Sequence, residues 1–202
     1  MTELKMNDNK PDKVRQAVRR ITYGGILAAI ILIATIVFQF PIPMPALKGY
    51  VNFGDGVIIA AAMIMGPYAA VSAAIGSALA DLLSSYVLFA PATFLIKGLM
   101  GLFAGIMFKK YPNIKWYAAV GVITICEAIM VSGYFVFEMF YYALTNSPDG
   151  LARGAMTAAI ALPFNAVQGV AAVLLGLAMM PVARRLRIDR TDEHNTIDRD
   201  YV

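Results

Sequence analysis

Long apolar segments alternate with short polar ones along most of the chain. The apolar runs cover about residues 21–40, 55–65, 68–85, 92–108, 116–142 and 155–180. A helix rises 1.5 Å per residue, so about 20 apolar residues cross the ~30 Å hydrocarbon core of a bilayer. The pattern therefore predicts an all-α fold, an integral membrane bundle of six transmembrane helices.

The breaks between the runs contain residues that end helices. PIPMP places three prolines in residues 41–45, Gly66-Pro67 separates helix 2 from helix 3, and TNSPDG occupies residues 145–150. We expect an irregularity at Ser132-Gly133, because helix 5 is longer than a straight span requires. One membrane domain, residues 21–182, is predicted between polar tails at 1–20 and 183–202, the first of which could end in a short interfacial helix.

Composition and charge support a membrane location. The chain is 59% hydrophobic and 15% charged, whereas soluble domains contain about 25% charged residues. Fourteen of the 17 Lys and Arg lie in the two tails and in residues 109–115, while only Lys48 and Arg153 lie in the other loops. This bias places both termini in the cytoplasm. It accounts for the basic tails without a nucleic-acid partner.

Polar groups inside the apolar runs are the candidate site, because ionised groups in a bilayer are costly and usually functional. In the predicted topology they fall in the outer half of the bundle, with Glu127 nearer the middle of helix 5. The candidates for substrate binding are Asn52, Asp55, Asp81, Tyr86, Lys97, Tyr134, Glu138, Asn165 and Gln168.

The charges of these groups favour a cationic or donor-rich ligand. Asp55, Asp81 and Glu138 outnumber Lys97. A structural salt bridge such as Asp81–Lys97 is the alternative for a single pair, and an aromatic belt is the alternative for most aromatic residues. An unpaired Lys97 would instead suit a carboxylate ligand.

Enzymatic chemistry is poorly supported. The single histidine, His194, lies in the C-terminal tail, so no His base or His metal ligand is available in the membrane. No GxxxxGK[ST] loop occurs, so the chain alone is not expected to hydrolyse ATP. We expect no catalytic residue, no metal and no cofactor.

Small residues form a stripe on helix 1. Gly24, Gly25, Ala28 and Ala29 make two overlapping small-xxx-small pairs, which allow another helix to approach closely. Packing within the protein and docking of a partner are both compatible with this spacing.

The chain resembles the substrate-binding S components of energy-coupling-factor (ECF) vitamin transporters. The resemblance rests on GYVNFGD at 49–55, Gly66-Pro67, GSALADL at 76–82, KGLMG at 97–101 and PFNAVQG at 163–169. It covers about residues 20–182 and implies six helices with an extracellular vitamin site closed by the loops between helices 1–2, 3–4 and 5–6.

The resemblance also implies partners and a location. These are a small-molecule vitamin, a transmembrane coupling (T) subunit and two cytoplasmic ATPases, in the plasma membrane of a prokaryote. Family members are expected to topple in the bilayer to deliver the vitamin. The helix 1 stripe resembles the AxxxA pattern that docks on the T subunit, with Gly in place of the first Ala.

Within this family, the GYVNFGD form is most similar to the branch for vitamin B6 compounds, hydroxymethylpyrimidine or pantothenate. The acidic excess favours pyridoxine, pyridoxamine or hydroxymethylpyrimidine over the pantothenate carboxylate. Pantothenate and riboflavin remain alternatives, and a stand-alone ion-coupled carrier of a small cationic metabolite is the alternative class.

Overall fold

The computed structural model describes residues 10–42, 49–145 and 150–187. These parts of the chain form six α-helices and one short β-hairpin. In order, the elements are α1 (Lys10–Val37), β1 (Phe40–Ile42), β2 (Gly49–Val51), α2 (Gly54–Met65), α3 (Ala69–Leu83), α4 (Ala90–Lys110), α5 (Trp116–Thr145) and α6 (Gly150–Arg185). A single 3-10 turn, Gly66–Tyr68, joins α2 to α3.

The chain reverses direction between α2 and α3. Gly66 has φ +60°, a left-handed conformation that favours glycine. The turn packs on α4, where a Cβ at Gly105 would collide with the carbonyl oxygen of Gly66. Asp55 lies in the first turn of α2 and contacts Lys97 of α4. Lys97 lies about two helical turns before Gly105 on α4. The turn and the start of α2 therefore lie at opposite ends of the bundle.

All six helices alternate in direction. Ser72 at the start of α3 donates a hydrogen bond to the Gly24 carbonyl at the middle of α1, whereas Gly54 packs on Thr35 near the end of α1. Arg184 near the end of α6 donates to the carbonyl of Ile114, just before α5. The start of α1, the Gly66–Tyr68 turn, the 111–115 loop and the end of α6 thus share one end, here named the basic end.

The core is centred on α2, which is buried at every position except Val57. Many large apolar side chains on the outer helix faces are exposed, among them Leu95 and Leu174 at 65% each. An apolar outer surface of this extent indicates contact with lipid rather than water.

Five segments of the described chain are long and apolar enough to cross a bilayer: Val14–Val37, Gly54–Leu83, Ala90–Lys110, Trp116–Thr145 and Gly150–Arg185. The second of them contains α2, the turn and α3. Because its two halves run in opposite directions, this segment is a helical hairpin and not one continuous rod. Its first half, α2, has 12 residues and is about 18 Å long.

The described chain is mostly helical, as predicted, and departs from helix in one short hairpin. Phe40–Ile42 and Gly49–Val51 pair as antiparallel strands, with Pro41 opposite Tyr50. Proline ends α1 because it cannot continue the helix, and its fixed φ angle suits an extended edge strand.

Helix ends also differ from the prediction. The helix predicted from residue 21 already begins at Lys10, since Pro11 is tolerated in a first helical turn. No break occurs at Ser132-Gly133, because α5 continues through it. Gly133 serves close packing instead: a Cβ there would lie 2.7 Å from Ile96 of α4.

Candidate functional site

A chain of hydrogen bonds joins α2, α4 and α6 at the end of the bundle opposite the basic end. The Lys97 ammonium lies 2.5 Å from Asp55 Oδ1, and the Gln168 amide donates to Asp55 Oδ2, also at 2.5 Å. Gln168 accepts in turn from the Asn52 backbone N–H at 3.0 Å. Lys97 is 3% exposed and Asp55 1%. These four residues are named the inner cluster.

Local structure explains the place of the inner cluster. Asp55 lies in the first turn of α2, where a carboxylate is stabilised by the helix dipole. The Asn52 side chain accepts from the Gly54 backbone N–H at 2.8 Å, which fixes the entry into this helix. The GYVNFGD segment therefore builds the start of α2 and delivers Asn52 and Asp55 to the same cluster.

The pairing of Lys97 differs from the alternative considered for the sequence. Its ionic partner is Asp55 and not Asp81, which lies close enough only for a weaker electrostatic attraction. Direct contact with a carboxylate offsets much of the desolvation cost of a buried ammonium. The Lys97 ammonium is therefore paired with Asp55 and is not available as a free cation for an anionic ligand.

A second group, the outer cluster, is formed by Tyr50, Asp81 and Tyr86. The Tyr50 hydroxyl donates a hydrogen bond to Asp81 Oδ1, and the rings of Tyr50 and Tyr86 lie 4.5 Å apart. Burial raises the pKa of the Tyr50 phenol far above its usual range, and the nearby Tyr134 and Asp81 raise it further. The phenol therefore keeps its proton and remains a donor.

Tyr134 lies between the two clusters. Its ring centroid is 5.6 Å from the Lys97 ammonium, within the range of a cation–π contact, and its hydroxyl is 2.9 Å from the Thr93 hydroxyl. Phe89 packs against Tyr134 and Phe137 with centroid distances of 6.4 and 5.5 Å. An aromatic wall thus adjoins the charged groups.

Not every predicted residue joins these clusters. Glu138 is buried on α5, one turn after Tyr134, and Asn165 is half-buried on α6, three residues before Gln168. Neither makes a recorded hydrogen bond to the clusters among residues 10–42, 49–145 and 150–187. Their spacing places them on the same helix faces as Tyr134 and Gln168.

Three further residues belong to or adjoin these clusters although they were not among the nine candidates for substrate binding. Tyr50 holds Asp81, Thr93 holds Tyr134, and Glu127 is buried on α5 within electrostatic range of Asp55 and Lys97. A carboxylate inside an apolar run was a visible signal for Glu127. No such signal marks Thr93, because a single threonine is common in a membrane helix.

Unsatisfied acceptors are the main chemical feature of this region. Asp81 Oδ2, both carboxyl oxygens of Glu127 and Glu138 Oε2 are buried and have no hydrogen-bond partner within the part of the chain that is described. Buried polar atoms are normally paired. The arrangement can therefore accept hydrogen bonds from a molecule rich in N–H, O–H or cationic groups.

Metal binding has no support in the described ranges, which contain no group of three or more His, Cys, Asp or Glu side chains able to hold an ion. His194 lies outside the described residues. The free Cys126 is buried and donates weakly to the Met100 carbonyl, at 3.9 Å.

The stripe on α1 divides into two faces. Gly24 and Ala28 face α3, where the Gly24 carbonyl accepts from Ser72 and a Cβ at Gly76 would lie 2.5 Å from the Ala28 carbonyl. Gly25 and Ala29 are exposed, and a Cβ at Gly25 would meet no atom within 4 Å. Gly24 and Ala28 therefore pack within the protein, whereas Gly25 and Ala29 remain exposed on α1.

Between α1 and α3 lies an apolar groove of about 690 Å³, here named the α1–α3 groove. It is lined by Ala17, Arg20, Ile21, Gly24, Gly25, Ala28, Ala29, Leu32, Met65, Tyr68, Val71, Ser72, Ile75 and Leu79.

An apolar helical bundle that buries ionised groups near one end is the architecture of an integral membrane protein with a functional site. A family model described as ECF-type riboflavin transporter, S component, matches residues 15–185. The chain therefore belongs to this family, which is a family of transporter components and not of enzymes.

Two further proteins are similar to this chain. A Pyrococcus woesei protein described as "Uncharacterized protein in gap 3'region" is 39% identical over 95 residues. That match covers 46% of this chain and 62% of the relative. The crystal structure of the S-component for biotin from an ECF-type ABC transporter matches with a TM-score of 0.54 and 19% identity, over 90% of this chain and 94% of that one. The second match establishes a shared fold.

Proposed function

We propose that this chain is the vitamin-binding S component of an ECF-type importer and spans the membrane six times. The family supports the general role, and the alternating direction of α1 to α6 supports six crossings. Two short helices, α2 and α3, would cross as a hairpin enclosed by longer neighbours. The proposed importer is a complex, and this chain is its solute-binding subunit.

The distribution of charge supports a cytoplasmic location for both termini. Lys109, Lys110 and Lys115 lie around the 111–115 loop, and Arg184 and Arg185 lie in the last turn of α6. All of them are at the basic end, and cytoplasmic loops of membrane proteins carry an excess of Lys and Arg. The inner and outer clusters then lie toward the outside, where a scavenged vitamin arrives.

The unpaired acceptors support a cationic or donor-rich vitamin, and this is the observation on which the choice of substrate rests. Four buried carboxyl oxygens lack hydrogen-bond partners among the described residues, while the Lys97 ammonium is bound to Asp55. A carboxylate ligand such as pantothenate would meet further carboxylates and no free cation. Pyridoxamine, pyridoxine or hydroxymethylpyrimidine would bring a basic ring with hydroxyl or amino donors, and Tyr86 and Tyr134 supply rings against which it can pack.

Riboflavin is the second candidate. The matching family model carries its name, and its ribityl hydroxyls and imide N–H are also donors. Its ring system is larger than that of vitamin B6 and would need more of the aromatic wall formed by Phe89, Tyr134 and Phe137.

The α1–α3 groove is the proposed docking surface for a transmembrane coupling subunit, which two cytoplasmic ATPases would drive. Exposed Gly25 and Ala29 allow a partner helix to approach closely. No cofactor is required for binding. A stand-alone ion-coupled carrier is the competing class, and it would need none of these partners.

A vitamin panel tests the substrate class. Purified protein in detergent is heated with pyridoxine, pyridoxamine, hydroxymethylpyrimidine, riboflavin, thiamin, pantothenate or biotin, each far above its expected Kd. A ligand at 100 times its Kd stabilises the folded protein by about 2.7 kcal/mol. We expect the largest rise in Tm with a vitamin B6 compound or hydroxymethylpyrimidine. A rise with pantothenate alone would contradict the proposed substrate class.

A further inference from the structure

Glu127 is a buried carboxylate without an evident structural task. It lies in the middle of α5 and is 6% exposed. Neither of its carboxyl oxygens has a hydrogen-bond partner among the residues that the structure describes. Because a buried polar group without a partner is destabilising, such a group calls for a reason.

The surroundings of Glu127 place it beside the inner cluster. A Cβ at Gly169 of α6 would lie 3.4 Å from both Cβ and Cγ of Glu127, so α6 lies directly against this side chain. Gly169 directly follows Gln168, whose amide holds Asp55. Glu127 also interacts electrostatically with Asp55 and Lys97. It therefore lies at the inner end of the site.

Charge balance separates two roles for Glu127. Asp55 and Glu127 are two carboxyl groups against the single ammonium of Lys97, and Lys97 is bound to Asp55 at 2.5 Å. If Glu127 existed to neutralise Lys97, the two side chains should form an ion pair, and the structure records Asp55 alone in that position. One acidic group is left over, and its oxygens are free to accept.

We propose that Glu127 is the inner specificity contact of the site and accepts a hydrogen bond from a cationic or N–H or O–H group of the bound vitamin. This inference rests on the proposed function. In that role, the ligand-free protein keeps an unpaired carboxyl, and the ligand supplies the missing donor. A donor-poor or anionic molecule leaves Glu127 unpaired and binds weakly.

The test compares Glu127→Gln with wild type, using pyridoxamine, hydroxymethylpyrimidine and riboflavin as probes. The amide keeps the shape of the side chain but replaces one of its two oxygens with an NH₂ donor. We expect the Kd of the tightest probe to rise at least about tenfold, since a buried ligand donor that loses its acceptor binds much less well. The Tm of the ligand-free protein should stay unchanged or rise.

The matched control is Thr124→Val, which removes a polar group from the exposed side of the same helix and should leave both Kd and Tm unchanged. Two results would overturn the inference. One is a Kd of the variant within twofold of wild type. The other is a lower ligand-free Tm for Glu127→Gln that is restored in a Lys97→Met background, because this would assign Glu127 to charge balance. A wild-type protein that binds none of the probes would contradict the proposed function instead, before any variant is compared.

Discussion

The inner cluster and the α1–α3 groove are opposite in almost every physical respect. The cluster is charged, buried and built from α2, α4 and α6, with side chains joined by short hydrogen bonds. The groove is apolar and open, and Ala17, Gly25 and Ala29 are small exposed positions on its α1 side. One region offers directional contacts to a small polar molecule. The other offers a close-packing surface to a helix.

Under the proposed function, this contrast would separate vitamin recognition from partner docking within one small protein. Gly25 lies ten residues before Thr35, about 15 Å along α1, and Thr35 is where α1 meets the start of α2. Substitutions in the groove should therefore change transport without changing affinity, and substitutions in the clusters should change affinity or folding.

The largest expected effect is on transport. Gly25→Leu or Ala29→Leu should reduce vitamin uptake to background in cells that also contain the coupling subunit and ATPases. A leucine at a close helix–helix contact prevents approach. The Kd of the purified variant should stay within about twofold of wild type, because distant sites act independently.

Gly121→Leu is the matched control for Gly25→Leu. Gly121 is also an exposed helical glycine with no atom within 4 Å of a Cβ built on it, but it lies on α5. Uptake should be retained in this variant. Loss of folding and binding together in Gly25→Leu would show that the exposed face of α1 is internal packing, and the separation would fail.

The next effect is on stability. Lys97→Met should destabilise the protein by about 3–5 kcal/mol, because it leaves Asp55 buried without its cation. Adding Asp55→Asn should recover much of the loss, whereas adding Asp81→Asn should not. Thermal unfolding of the purified single and double variants measures this difference. Equal recovery by both second substitutions would contradict the specific pairing of Lys97 with Asp55.

The smallest of these effects concerns the outer cluster. Asp81→Asn should weaken vitamin binding at least tenfold with little change in Tm, because removing one partner of a buried charge-assisted contact costs about 2–5 kcal/mol. Isothermal titration of the variant with the vitamin selected by the panel measures the change. An unchanged Kd would mean that Asp81 accepts the hydrogen bond from Tyr50 and does not contact the ligand.

Hydrophobic patterning predicted the helices well, because apolar runs bounded by Pro and Gly define them directly. It missed the hairpin of Phe40–Ile42 with Gly49–Val51, since three-residue strands carry no periodic signal. It also placed the start of α1 too late, because the polar residues after Lys10 are good helix formers and hydropathy does not report that property.

The sequence indicated which buried charged residues to consider, but not how they pair. Embedded charges identified Asp55, Asp81 and Lys97, because such groups are rare in membrane segments. The choice of Asp55 over Asp81 as the partner of Lys97 depends on how α2 and α3 pack against α4, and sequence spacing carries no information about that. The roles of Gly25 and Gly24 likewise depend on which face of α1 meets α3.

The central claim is that this chain binds a vitamin by itself and moves it only with an ATP-driven partner. Uptake into proteoliposomes tests this claim most directly, with the chain reconstituted alone or together with a coupling subunit and its ATPases. The vitamin that gave the largest rise in Tm is the solute. We predict saturable binding in both preparations and accumulation against a gradient only with the coupling module and ATP. ATP-independent uphill uptake by the chain alone would contradict this account and would indicate an ion-coupled carrier.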